Sequence, residues 1–102
     1  MTNNDEINFR GDVLLTFQVA LLGMIVPSLR GVTVGWDSKK IIAKCFYDGE
    51  IGDEEAEMAS EVETEIYASY PDHEVEVRAF RLDYPAQLNP HVLQAWVYCR
   101  KE

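Results

Sequence analysis

The segment Leu29–Gly49, LRGVTVGWDSKKIIAKCFYDG, decides how the rest of the chain must be arranged. In its first part Val32, Val34 and Trp36 alternate with Gly31, Thr33 and Gly35, the two-residue period of a strand with one apolar face. Asp37–Lys40 is a polar turn, and IIAKCFYDG beginning at Ile41 is a second strand. The two strands read as a hairpin. Upstream, Gly11-Asp12 offers a cap for a helix that should end before Pro27, which lacks the N–H that the next helical turn needs. Its apolar residues, from Val13 to Ile25, leave only a narrow polar strip, so this helix is predicted to be largely buried.

Downstream, Gly49 and Gly52 mark the exit from the hairpin. Asp53 is the predicted N-cap of a second helix running to about Ser69, with acidic residues in the first turn where the helix dipole favours them, and Pro71 closes it. Val75, Val77 and Ala79 then alternate with Glu74, Glu76 and Arg78. Leu93, Ala95, Val97 and Cys99 alternate with Val92, Gln94, Trp96 and Tyr98. Both runs predict strands. The expectation is one α+β domain over residues 1–102, in the order α-β-β-α-β-β: a four-stranded antiparallel sheet with two helices packed on one face, because each helix needs an apolar surface to cover. The pattern does not fix the strand order.

Charge is distributed unevenly. The stretch Asp48–Glu76 holds twelve of the eighteen acidic residues and no Lys or Arg, whereas elsewhere the nine basic residues outnumber the acids. The net charge of -9 is therefore concentrated in less than a third of the chain. Such a field repels nucleic acid and anionic membranes, and points to a basic protein partner.

On the second helix Ala59, Val62, Ile66 and Tyr70 recur at helical spacing and should face the sheet. At roughly 100° per residue, Glu54, Glu57, Glu61 and Glu65 gather on a ridge away from that stripe. The pairs Glu57/Glu61 and Glu61/Glu65 are like charges at i,i+4, each costing about a few tenths of a kcal/mol in an isolated helix. A solvated face that aids solubility is the simple explanation. A surface for a basic partner is the sharper one, with Asp48, Glu50 and Asp53 alongside the ridge. If the helices cover one sheet face, Trp96 and Tyr98, with Phe80 and Leu82, fall on the other, where aromatics would serve as binding anchors or as a homodimer contact unless the sheet curls or the N-terminal segment covers them.

Catalytic and metal readings are weak. His73 and His91 have no HxxxH or HExxH spacing and no neighbouring Cys, so neither a metal nor another cofactor is expected. The segment from Asp48 fails as a calcium loop, since Asp53 stands where Gly is needed and Ala59 where Glu is needed. Cys45 and Cys99 alternate in phase with apolar strand residues, which predicts buried structural thiols in place of nucleophiles. No enzyme activity is expected. Without a CxxC spacing or a basic N-terminal leader, the expected compartment is the cytoplasm, and the longest apolar segment, Val13–Val26, is too short and too interrupted to span a bilayer.

The runs ALLG (residues 20–23), PSLRGVTVGWD (27–37), FYDGEIGDEEAE (46–57), VETEIYASYPD (62–72) and RLDYP (81–85) resemble small acidic bacterial immunity proteins of toxin systems, particularly those of contact-dependent growth inhibition. The resemblance extends over about Ala20–Pro85. It implies a cytoplasmic inhibitor that binds and blocks the toxin domain of a cognate effector, often a basic nuclease, whose substrate (tRNA, other RNA or DNA) is not encoded here. Immunity families diversify at their interfaces, so no binding residue carries over by motif. The candidate toxin-binding residues, Asp48, Glu50, Asp53, Glu54, Glu57, Glu61, Glu65, Trp96 and Tyr98, rest on the ridge and aromatic patterns alone. An adaptor or homodimeric domain using the aromatic sheet face is the alternative.

Overall fold

The computed structural model describes residues 3–102. Helix α1 (Asn3–Ala20) leads into strand β1 (Leu29–Trp36), which turns back as β2 (Lys40–Tyr47). Helix α2 (Asp53–Ser69), strand β3 (Glu74–Arg81), a 3-10 turn at Asn89–His91 and strand β4 (Ala95–Cys99) complete the chain. The predicted hairpin is present, with Val32 opposite Cys45 and Val34 opposite Ala43. Asp37 builds its turn, its Oδ1 accepting the backbone N–H groups of Lys39 and Lys40, each at 2.8 Å.

The α+β class holds, but the sheet is mixed. Its spatial order is β3-β2-β1-β4, and β3 runs parallel to β2, from Lys40 beside Glu74 to Tyr47 beside Arg81. Parallel neighbours need a crossover, and α2 supplies it by returning the chain to the end of the sheet where β2 began. The 3-10 turn is a further departure from the expected element order.

Both helices pack on one face. Val13, Phe17 and Ala20 of α1 meet Ala59, Val62 and Ile66 of α2 above Val32, Val34, Ile41, Ala43 and Val77. Burial of this single apolar cluster is the main stabilising term. At the open edge of the sheet, the Glu63 carboxylate accepts the N–H of Val77 at 2.9 Å, which ties α2 to β3 and occupies an edge donor.

Helix α1 differs from expectation in both its bounds and its burial. It starts at Asn3, well before Asp12, and ends at Ala20, well before Pro27. Gly23, at φ +78°, takes up the left-handed conformation that lets the chain turn out of the helix. Leu15, Val19 and Leu22 are exposed, so the helix is buried along one side only. The second helix also starts differently: Gly52 is its N-cap and Asp53 its first residue.

The helix-free face is covered by the connection from β3 to β4. These two strands lie at opposite edges, so residues 82–94 must cross the sheet. Lys44 Nζ donates to the His91 carbonyl (3.2 Å), Leu93 N–H to Thr33 Oγ1 (3.2 Å) and Trp36 N–H to Gln94 Oε1 (2.6 Å). Space over this face of β1 is tight: a Cβ at Gly31 would stand 2.8 Å from the Trp96 ring of β4 and 3.4 Å from Leu88 of the crossing, and one at Gly35 would stand 3.0 Å from Gln94 Oε1. Arg30 ties the start of this layer to Glu102 at the C-terminal end of the chain. Although 2 % exposed, it donates to the Glu102 carboxylate (2.7 and 2.9 Å) and to the carbonyls of Leu82 (2.6 Å) and Ala86 (2.7 Å).

The predicted aromatic face is accordingly not an open one. Trp96 stands opposite Thr33, but the register slips after it and Tyr98 stands opposite Val32, on the core side. A bulge at this point reverses the alternation, so Trp96 and Tyr98 lie on opposite faces of the sheet. The same slip accounts for Cys99, which is exposed where alternation predicts burial, while Leu93 belongs to the crossing segment. Phe80 packs against Phe46 at 6.2 Å on the covered face and remains partly exposed.

Candidate functional site

Helix α2 presents its glutamates as its periodicity requires. Met58, Ala59, Val62 and Ile66 are buried, which turns Glu54, Glu57, Glu61 and Glu65 outward, and all four are exposed. Asp53, Glu54 and Glu55 occupy the first turn, where the free N–H groups of the helix favour negative charge. Among the described residues, none of the four ridge carboxylates, nor Glu50 or Asp53, is in an ion pair. The charge of this face is left for solvent or a partner.

Asp48 stands apart from the ridge. It faces Arg100 at 3.6 Å and accepts the Tyr84 N–H at 3.2 Å, so it belongs to the network that fixes the crossing segment. Trp96 and Tyr98 also stand apart from α2, on β4. The structure therefore groups Glu54, Glu57, Glu61 and Glu65 on one surface, with Asp53 at its start, and disperses the other candidates.

Beside the first turns of α2 lies a groove of about 320 Å³ that periodicity alone does not reveal. Met24, Val26, Tyr47 and Met58 contribute its apolar lining, while Glu54, Glu57 and Glu61 contribute carboxylates. Tyr47 is buried and its hydroxyl donates to the Met58 sulfur at 2.8 Å. Burial, followed by the proximity of Cys45 and Glu55, raises the Tyr47 pKa far above the ordinary phenol value, so this side chain stays neutral in the groove. Met24 and Val26 come from the apolar run Val19–Val26, and the signal that they leave the core is Gly23 followed by Pro27.

Burial pushes the Cys45 thiol up to about 12, which keeps it protonated and unreactive at neutral pH. His73 is engaged by aromatic neighbours, stacked on Phe9 at 5.4 Å and edge-on to Tyr70 at 5.8 Å. Among the described residues no group of three or more His, Cys, Asp or Glu is close enough to hold a metal ion, and no helix is long and apolar enough to cross a membrane.

An acidic helix face without ion pairs among the described residues, beside an apolar groove, has the character of a protein-binding surface. Comparison with known families matches residues 10–102 to the model of the MafI2 immunity protein. The chain belongs to the MafI2 immunity protein family. The match spans α1 from Arg10 onward, all of α2 and the whole sheet, so it takes in the ridge, the groove and the crossing segment of this family member. No curated protein matches the chain.

Proposed function

We propose that the chain neutralises a cognate toxin domain by binding it through the outer face of α2. The observation that carries this reading is the set of four outward glutamates on one helix face, none of them in an ion pair among the described residues, within a family of immunity proteins. A basic toxin, such as a nuclease that holds phosphates in an electropositive cleft, is the complementary partner. The ridge would take the place of the nucleic-acid backbone there, and long-range attraction would speed capture of an enzyme that is lethal while free. The proposed setting is the cytoplasm of a cell that makes the toxin for contact-dependent growth inhibition. The proposed role is binding and not catalysis.

The test is to co-express a tagged copy with the toxin domain encoded beside its gene and to score growth rescue, complex formation and loss of nucleic-acid cleavage. The variant carrying Glu54→Gln, Glu57→Gln, Glu61→Gln and Glu65→Gln is expected to melt like the wild type and to bind at least about tenfold more weakly, chiefly through slower association at low salt. Unchanged affinity would reduce the ridge to a solvated face.

A further inference from the structure

We infer that the turn at residues 22–26 and the groove behind it are the apolar centre of the toxin contact, and that the groove receives a Lys or Arg side chain of the toxin. This rests on the immunity reading and assigns the acidic ridge the part of a rim. Three large apolar residues protrude within five positions: Leu22 is 75 % exposed, Ile25 43 % and Val26 40 %. Leu15 and Val19 continue the surface along α1, and together the five present on the order of 500 Å² of apolar area, the scale at which a patch on a monomer is often functional.

Hollows lie on both sides of the turn. On one side is the groove of about 320 Å³, bordered by Met24, Val26, Glu54, Glu57 and Glu61, and on the other a smaller hollow of about 210 Å³ to which Leu22, Ile25, Val97 and Tyr98 contribute. The turn can therefore insert into a partner while the partner fills the hollows.

Charge identifies the occupant. A second copy would bring another net charge of -9 to the same place, and in a two-fold contact would set ridge glutamates against ridge glutamates. A Lys or Arg from a basic partner meets the opposite situation. Its aliphatic stem packs on the Met24, Val26 and Met58 side chains, and its cationic end reaches the carboxylates of Glu54, Glu57 and Glu61. Water excluded by the turn strengthens those contacts, following the pattern of an apolar centre with a charged rim.

The probe is the toxin domain encoded beside this gene, with affinity and rates measured at two salt concentrations for the wild type, Leu22→Ser/Ile25→Ser and Glu54→Gln/Glu57→Gln/Glu61→Gln. Both apolar targets are exposed, so the double variant should keep its melting temperature while Kd rises about 100-fold, mainly through faster dissociation. The glutamine variant should lose about tenfold, mainly in association rate, with a flatter salt dependence. A photocrosslinker at Ile25 should capture a toxin peptide that contains Lys or Arg. Wild-type binding with no loss in Leu22→Ser/Ile25→Ser overturns this inference and leaves the immunity reading standing. Failure of the wild type itself to bind removes the immunity reading, and this one with it. A homodimer that Leu22→Ser/Ile25→Ser dissolves in sedimentation makes a second copy the occupant, and overturns the inference as well.

Discussion

Glu54, Glu57, Glu61 and Glu65 on α2 and Asp37, Glu76, Asp83 and Glu102 around the sheet are similar groups in opposite settings. Asp37 accepts backbone N–H groups from its own turn, Glu76 pairs with Lys40 and Arg78, Asp83 with Arg81, and Glu102 with Arg30 and Arg100. Each is held below its ordinary pKa by those donors, led respectively by the Lys39 N–H, Lys40, Arg81 and Arg30. The four ridge glutamates have no such partners among the described residues, and Glu63 on the inner side of α2 accepts only the Val77 N–H. Among the described residues Arg30, Lys40, Arg78, Arg81 and Arg100 pair with carboxylates of the sheet and the segments around it, and no ion pair involves a carboxylate of α2. The fold and the proposed binding surface draw on different carboxylates, and this makes the two separable by mutation.

Arg30→Met breaks the structural side of that comparison most severely. It leaves the carbonyls of Leu82 and Ala86 without their donor and the Glu102 carboxylate with Arg100 alone, and Glu102 retains some contact with water. The expected loss is about 3 kcal/mol in urea unfolding, the lower end for breaking a buried pair, because Glu102 keeps Arg100 and some water. A loss below about 0.5 kcal/mol would show that the crossing segment does not depend on Arg30.

Acid tests the same carboxylates together. The folded pKa of Glu102 lies below the unfolded value of 4.5, so its contribution is present above that pH and is lost as pH falls through the lower folded value. Asp37, Glu76 and Asp83 have the same sign, starting from 3.8, 4.5 and 3.8. Stability should therefore decline below about pH 5, and Glu102→Gln should start less stable and lose less between about pH 5 and pH 3. An equal slope in the variant would remove Glu102 from the set.

The ridge should respond in the opposite direction and by the least. Glu61→Gln relieves repulsion toward both Glu57 and Glu65, and is expected to stabilise the fold by about 0.3–0.5 kcal/mol at low salt and by almost nothing at high salt. Destabilisation by this change would mean that Glu61 has a structural partner and belongs with the other group.

Periodicity made some of this legible in advance. The hairpin follows from alternation around Asp37–Lys40, and the ridge follows from the α2 stripe Ala59, Val62 and Ile66, because in both cases the relevant faces are set by residues close in sequence. Arg30, Leu22, Ile25 and Val26 gave no such signal. Arg30 sits beside a strand repeat yet is buried by Leu82, Ala86 and Glu102, more than fifty residues away. The apolar run through Leu22–Val26 carries the composition of a core segment, and only the turn at Gly23 places part of it in solvent.

By itself the sequence determined the α+β class, the β1–β2 hairpin, the acidic face of α2 and the sign of the charge available to a partner, since all of these depend on local period and composition. The tertiary structure alone decided the parallel placement of β3, the crossing of residues 82–94 over the second sheet face, the separation of Trp96 from Tyr98 by a bulge, and the groove between residues 24–28 and α2. These depend on which strands become neighbours and where one residue slips, and such choices are set by packing between segments distant in the chain.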